Sequence, residues 1–319
     1  MGGGQGSHSA ISRKITEPAR LAALCFLAGL LLLPAKSSSE PQQASPSFQD
    51  GESLKYQLKW LGLTIATARL TVEGPVRWEG KRVFRLRGRV KSTGLLKRLL
   101  RVDDSAVSYA DASGLFSHRI EIRQREGRYR AKRWNTFGKR RAVYGRPNRP
   151  PRHYEIAGKV HDLLSGIYKA RSLDLRPGKI FVVNIFHTKK PYPVRLMVGG
   201  AETSDTLWGA VRTLVVQPEF IDNDYLKGLA TTWIYITAGH HKIPVRLESK
   251  TYLGPFVSHL IESKGVPSGP LSKPPIKEPQ NWRPTVRRVK KGSKGGLMDL
   301  KNLLNKSKIK GYKKEPDAK

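Results

Sequence analysis

The residues best spaced to act together are Asp162, Ser165, Tyr168 and Arg171, which recur three apart and so neighbour one another along a row slanting across a helix surface. With His161 beside them, Asp162 and Ser165 supply the residue types of a hydrolase triad. A triad needs a nucleophile, a base within hydrogen-bond reach, a group that orients the base and an oxyanion site. Closeness in sequence provides none of that geometry, and helix capping accounts for Asp162 without any chemistry, so no catalytic residue is assigned. His240 and His241 are metal-ligand types, but neighbours on a strand point to opposite faces and no HExxH or other spaced partner accompanies them. Asp222-Asn223-Asp224 opens like a calcium loop, yet the glycine and distal glutamate of that motif are out of register, which favours a hairpin turn. Neither a glycine-rich phosphate loop nor a nucleophile elbow is present. The expectation is a protein that is not an enzyme and holds no metal and no cofactor.

Composition favours binding instead. The 319 residues carry 59 Lys plus Arg against 25 Asp plus Glu, a formal net charge of +34, which should spread a positive field over much of the surface and attract anionic partners. The plain alternative is a solubilising surface, since net charge informs solubility and association rather than fold. Arg13, Lys14 and Arg20 precede an apolar run from Leu21 to Leu33, followed by Pro34 and small residues. That order predicts a signal peptide over residues 1–37, cut near Ala35-Lys36-Ser37, and a periplasmic or cell-envelope location. The run is shorter than the ~20 apolar residues of a membrane-spanning helix. Its Cys25 is the only cysteine, so the exported chain would have no disulfide or thiolate metal site.

Residues 38–49, rich in Ser, Gln and Pro, read as a linker, and residues 50–263 as one β domain. Leu54, Tyr56, Leu58 and Trp60 alternate with polar residues, and a second alternating run extends from Leu63 to Val72 after a bend at Gly62. Beyond a turn at Glu73-Gly74-Pro75, Phe84, Leu86, Gly88 and Val90 fall on one face of a strand, with Arg85, Arg87, Arg89 and Lys91 on the other. Gly94 to Leu100 fits either a helical turn or the lip of a sheet. A hairpin turning at Glu126-Gly127 concentrates Arg119, Arg123, Arg125, Arg128, Arg130 and Arg133, whose mutual repulsion calls for counter-charges, an anionic ligand or screening by salt. Gly145 to Arg152 is too proline-rich for a central strand and reads as a loop. The one convincing helix runs from His161 to Gly178, capped by Asp162, with Leu163, Leu164, Ile167 and Ala170 on one face. Short β-branched strands follow, and the last hairpin turns at Ala238 to Lys242. Residues 264–319 form a proline-rich basic tail, expected to be disordered, with Leu297, Leu300, Leu303 and Leu304 at the spacing of a short amphipathic helix that suits a membrane surface.

Three groups of residues resemble the bacterial Domain of Unknown Function 3108 family. They are Leu54-x-Tyr56-x-Leu58-x-Trp60-x-Gly62; Asp162-x-x-Ser165-x-x-Tyr168-x-x-Arg171 with Pro177-Gly178; and Trp233 followed by Ile243-Pro244-Val245. The resemblance spans roughly residues 50 to 263 and implies an exported envelope domain, an antiparallel sheet curved around a helix, with no established catalytic residues. One departure is Ala238-Gly239-His240-His241, where the family usually has an acidic turn.

The fold expected is therefore mainly β: a curved antiparallel sheet or partly open barrel with one central helix. A helix laid over the apolar face leaves space near the sheet's ends for a ligand, with Tyr56, Trp60, Phe84 and Trp233 as candidate liners or plain core. Arg171 would pair with Asp162, cap backbone carbonyls or bind an anion. The leading functional expectation is non-catalytic binding of an anionic lipid, glycolipid or polysaccharide through Arg85, Arg87, Arg89, Arg123, Arg125, Arg128 and Arg130. Nucleic acid is the second reading, because Tyr129, Trp134 and Tyr144 lie among the arginines, but export counts against it. Hydrolysis of an envelope polymer is the third.

Overall fold

Alternating apolar residues give a strand one face to bury, and fourteen such strands make up most of the described residues. The computed structural model describes residues 47–99, 101–187, 190–220, 230–251 and 253–266, which fall in one compact unit. The segment read as a signal peptide, most of that read as a linker, Asp222-Asn223-Asp224 and nearly all of the basic tail lie outside the described residues. The strands are β1 (Ser53–Trp60), β2 (Leu63–Trp78), β3 (Lys81–Ser92), β4 (Asp103–Asp111), β5 (Ser117–Glu126), β6 (Tyr129–Phe137), β7 (Arg141–Arg146), β8 (Arg149–Glu155), β9 (Ile180–His187), β10 (Lys190–Thr206), β11 (Gly209–Phe220), β12 (Ala230–Thr237), β13 (Pro244–Thr251) and β14 (Gly254–Lys264). Two helices interrupt them, α1 (Gly94–Leu99) and α2 (Leu163–Arg171).

All strands join one antiparallel sheet in the order β8-β7-β6-β5-β4-β3-β2-β1-β14-β13-β12-β11-β10-β9. Neighbours are consecutive in sequence except at the centre, where β1 pairs with β14. The sheet is not closed, since β8 and β9 are its edges, and α2 lies in the connection between them. Part of that gap is laced by backbone. Ser117 N–H donates to Val160 O at 2.9 Å, His161 N–H to Asn184 O at 2.8 Å, and Phe186 N–H to His161 O at 2.7 Å. Register shifts at Lys55/Tyr56, Leu58/Lys59, Glu73/Val76 and Val198/Ala201 help the sheet curve, because an extra residue in one strand bends and twists it.

The β3 alternation holds: Phe84, Leu86 and Val90 are buried while Arg87, Arg89 and Lys91 are exposed. Several expectations need correction. Glu73-Gly74-Pro75 is a bulge inside a 16-residue β2, and the reversal comes at Glu79-Gly80, both at positive φ as a tight hairpin turn requires. Gly145 to Arg152 is not a loop but the β7–β8 hairpin; Pro150 and Pro151 are tolerated because β8 is an edge strand. Of the two readings of Gly94 to Leu100, the helical turn holds, over Gly94–Leu99. The central helix ends at Arg171, with Ser172 as its C-cap, so Pro177-Gly178 belongs to the following turn. Ser47 and Phe48, read as linker, are buried. The strands after α2 are not uniformly short, β10 having 17 residues.

Helix α2 packs against β3, β4 and β9 on the inner side of the sheet. Its Leu164 and Tyr168 join the main core with Leu54, Leu86 and Trp233, while Ala170 joins a second cluster around Val183, Ile185 and Leu196. Close approach depends on glycine. A Cβ on Gly166 would lie 2.3 Å from the Ile185 Cδ1 atom, and one on Gly88 2.9 Å from a Leu164 methyl. Among the described residues no helix is long and apolar enough to cross a membrane. Gly166→Leu is expected to destabilise the protein by about 1–3 kcal/mol through overpacking, measured by urea denaturation; an unchanged midpoint would contradict this helix–sheet contact.

Candidate functional site

The row Asp162, Ser165, Tyr168 and Arg171 does run along one helix, but it is not on the surface: the four residues are 1%, 0%, 0% and 1% exposed. Asp162 caps α2. Its Oδ1 accepts from Leu164 N–H at 2.8 Å and Ser165 N–H at 3.0 Å, and its Oδ2 accepts from the hydroxyls of Ser108 and Ser117. Ser117 and Ser165 are joined at 2.8 Å, and both accept from Asp162 N–H. Burial pushes the Asp162 carboxyl up, and the hydroxyl and backbone donors oppose that shift. His161 completes no triad. Its Nδ1 donates to Leu115 O at 2.9 Å, and no hydrogen bond joins its ring to Ser165 among the described residues.

Arg171 does not meet Asp162. At the other end of α2 it forms a bidentate pair with Glu52, Nη1 to Oε1 at 2.5 Å and Nη2 to Oε2 at 2.8 Å. Its remaining donors reach the carbonyls of Ser47, His241 and Lys242 at 3.0–3.1 Å, and the guanidinium lies 5.2 Å from the Tyr168 ring centroid and 5.7 Å from that of Phe48. Every polar group of this cation is engaged, so it anchors the fold and offers nothing to a ligand. His241 takes part only through its backbone oxygen here, and no cluster of three or more metal-ligand side chains occurs among the described residues.

The candidate liners Tyr56, Phe84 and Trp233 are core residues, and the half-buried Trp60 donates its indole N–H to Leu253 O at 2.9 Å. A cavity of about 340 Å³ lies elsewhere, between the inner face of β2–β6, the start of α2 and the end of β9. Leu70, Val90, Ala106, Ile120, Leu164 and Phe186 supply its apolar wall. Asp104, Gln124, Glu126 and Asn135 supply a polar end. Asp104 is hydrogen-bonded to Glu126 and to the Arg125 N–H, and burial, reinforced by the neighbouring Glu126, pushes its carboxyl up to about 6. The Asn135 amide nitrogen is buried and has no hydrogen-bond partner.

The outer arginines divide into two sets. Arg85 and Arg87 share Glu73, at 2.6 and 3.0 Å, and Arg89 holds Asp103 through two bonds of 2.7 and 2.8 Å. The Arg87 hydrogen bond, with that of Arg85, keeps the Glu73 carboxyl below its usual range, and Arg89 does the same for Asp103. Arg123, Arg125, Arg128 and Arg130 have no acidic partner among the described residues. Arg123 stands opposite Lys132, and Arg125 opposite Arg130. Arg123, Arg125, Arg130 and Lys132, with Pro147, border an open groove of about 260 Å³ on the outer face. Arg130 is partly occupied, donating to Gly127 O at 2.6 Å and Tyr129 O at 2.8 Å.

Sequence reading missed Glu52, Ser108, Ser117 and the cavity's polar end. A partial signal existed for Ser108, a hydroxyl at an inward position of β4 between Ala106 and Ala110. Nothing local ties Glu52 to a residue 119 positions away.

The family model that matches residues 55–261 is described as a protein of unknown function, DUF3108. Among solved structures, a β-barrel-like protein of the unknown-function family DUF1849 from Brucella abortus aligns with a TM-score of 0.50 at 8% identity, over 68% of this chain and 98% of that one. That likeness concerns the fold alone. A protein with a YmcC-like fold from Bacteroides fragilis aligns at 11% identity over 68% of this chain and 97% of that one, but its TM-score of 0.26 supports no argument. No curated protein matches.

Two outcomes test the site. Arg171→Met is expected to cost about 3–5 kcal/mol in urea denaturation, because it strands the buried Glu52 carboxylate; adding Glu52→Leu should recover most of that loss, and an additive double variant would contradict the pairing. Asp104 binds its proton more tightly folded than unfolded, where its value is 3.8, so its ionisation costs stability progressively between pH ~4 and ~6. Asp104→Asn should therefore gain stability over the wild type across that window, by about 1–2 kcal/mol given its partial exposure, and hold the gain above pH 7. A pH-independent difference in thermal stability would contradict the assignment.

Proposed function

The chain belongs to the DUF3108 family of proteins of unknown function, and we propose that it is an exported, non-catalytic envelope protein that binds phosphate- or carboxylate-bearing lipids or glycans on its outer cationic face. The observation that carries this reading is the unpaired set Arg123, Arg125, Arg128 and Arg130 beside Lys132 on the β5–β6 hairpin. Glu73 and Asp103 engage Arg85, Arg87 and Arg89, so those three, although on the same outer side of the sheet, contribute less. Like charges directly opposite across strands cost a few tenths of a kcal/mol or more per pair, and a bound anion converts that repulsion into charge-assisted hydrogen bonds. The basic residues and apolar run ahead of Ala35 support export. The basic, leucine-spaced segment near residues 297–304 supports a second contact with an anionic membrane.

The test uses the mature chain with three probes: vesicles containing phosphatidylglycerol, a soluble polyuronate and duplex DNA. Arg123→Gln, Arg125→Gln and Arg130→Gln combined should weaken vesicle or polyuronate binding at least tenfold at low salt, whereas Arg87→Gln with Arg89→Gln should change it less than threefold. Vesicles distinguish a lipid source from a glycan source. Equal loss in both variant sets, or no loss in either, would reject the face, and tightest binding to DNA would move the protein to the nucleic-acid reading.

A further inference from the structure

We propose that the cavity beneath α2 is a binding site for a small uncharged amphiphile, with an apolar chain or ring against the α2 side and a hydroxyl-bearing end at Asn135, Asp104 and Glu126. Its volume of about 340 Å³ falls in the range of small-molecule sites, and it combines apolar walls with a few convergent polar groups, as such sites do. The wall is assembled from three parts of the fold: Val90 and Ala106 from the sheet, Leu163 and Leu164 from α2, and Phe186 from β9. An apolar cavity alone would be a packing defect, but this one has a built polar end.

Asn135 is the second, independent observation. It is 5% exposed, lies on β6 between Ile120 of β5 and Tyr144 of β7, and lines the cavity. Its amide nitrogen has no partner, and a buried donor left unmade is costly when nothing fills the site. A ligand oxygen would satisfy it. Beside it, Gln124 donates to Glu126 Oε1 at 3.0 Å, and the Asp104 carboxyl lies near that of Glu126. The two carboxyls offer acceptor positions to ligand hydroxyls, and a carboxylate there repels an anion.

Charge sets the class of headgroup. Of the lining cations, Arg69 is held by Glu262 and Arg89 by Asp103. Arg133 also lines the cavity and forms no salt bridge among the described residues. The polar end thus sets carboxyl acceptors beside amide donors, which matches hydroxyls or a sugar better than phosphate or carboxylate. This site is separate from the outer cationic groove, and its ligand is uncharged where that of the groove is anionic.

The experiment is displacement of N-phenyl-1-naphthylamine, a neutral fluorescent probe, from the mature chain by octyl glucoside and by octyl phosphate, both below their micellar concentrations. Saturable 1:1 probe binding is expected, with octyl glucoside displacing at least tenfold better than octyl phosphate. Ala106→Trp, which fills the cavity, should weaken probe binding at least tenfold with the circular dichroism spectrum unchanged. Asn135→Leu should keep probe binding and lose the preference for the glucoside, a readout that stands if Ala106→Trp does not fold. Absence of saturable binding, a preference for octyl phosphate, or an Asn135→Leu variant with the wild-type preference would overturn the proposal. The Arg123, Arg125 and Arg130 substitutions leave this binding unchanged, so the two proposals fail separately.

Discussion

A guanidinium cannot be buried alone, and the position of Arg171 obliges several distant parts of the chain to converge on it. Glu52 comes from the segment before β1, the Ser47 carbonyl from the chain just ahead, and the carbonyls of His241 and Lys242 from the turn between β12 and β13. Ser47 returns the contact by donating its hydroxyl to Arg171 O at 2.7 Å. A nine-residue helix has little stability of its own, so α2 is held by what its ends touch. One end is fastened where the two halves of the sheet meet. The other is fastened by Asp162 to Ser108 on β4 and Ser117 on β5.

That two-point attachment explains why the sheet curves without closing. The connection carrying α2 enters between the edge strands, and residues 160 and 161 take backbone bonds from β5 and β9 that a direct β8–β9 pairing would otherwise replace. With its end beside Leu164 and Phe186, the helix covers the inner face but does not fill it, and the cavity is the volume left under its first turn. Its polar end and the outer arginines sit on opposite sides of the same strands. In β5, Gln124 and Glu126 point in while Arg123 and Arg125 point out, so period-two alternation gives one hairpin two unlike chemistries.

The sequence made the architecture legible where the signal was local. Alternation identified the face of β3 correctly, and the three-residue spacing of Asp162, Ser165, Tyr168 and Arg171 correctly placed them along one helix. Their burial was not legible, because it depends on serines 45 and 54 positions away and a glutamate 119 away. Gly74-Pro75 carries a turn signature, yet β2 runs through it as a bulge, with the Gly74 N–H taken by Asp50 Oδ1 at 2.8 Å. Pro150 and Pro151 misled for a related reason, since composition does not say which strand will be an edge. Phe48 looked like linker by its neighbours, but it packs edge-on against Phe84 and Tyr168 at 5.1 and 4.8 Å. The outer arginines could not be told apart in sequence. What separates Arg123 from Arg89 is the presence of Asp103 across one strand pair and Lys132 across the other.

Native-state hydrogen exchange tests most directly whether α2 is integral to the sheet through its buried charged ends. The account predicts that the slowest amides of residues 166–172 exchange with the same free energy and denaturant dependence as those of central β1 and β14, through global unfolding. If those helix amides exchanged through a low-energy local opening while β1 and β14 stayed protected, the helix would be an accessory laid on an independently stable sheet, and the central role given to Arg171 and Glu52 would be wrong.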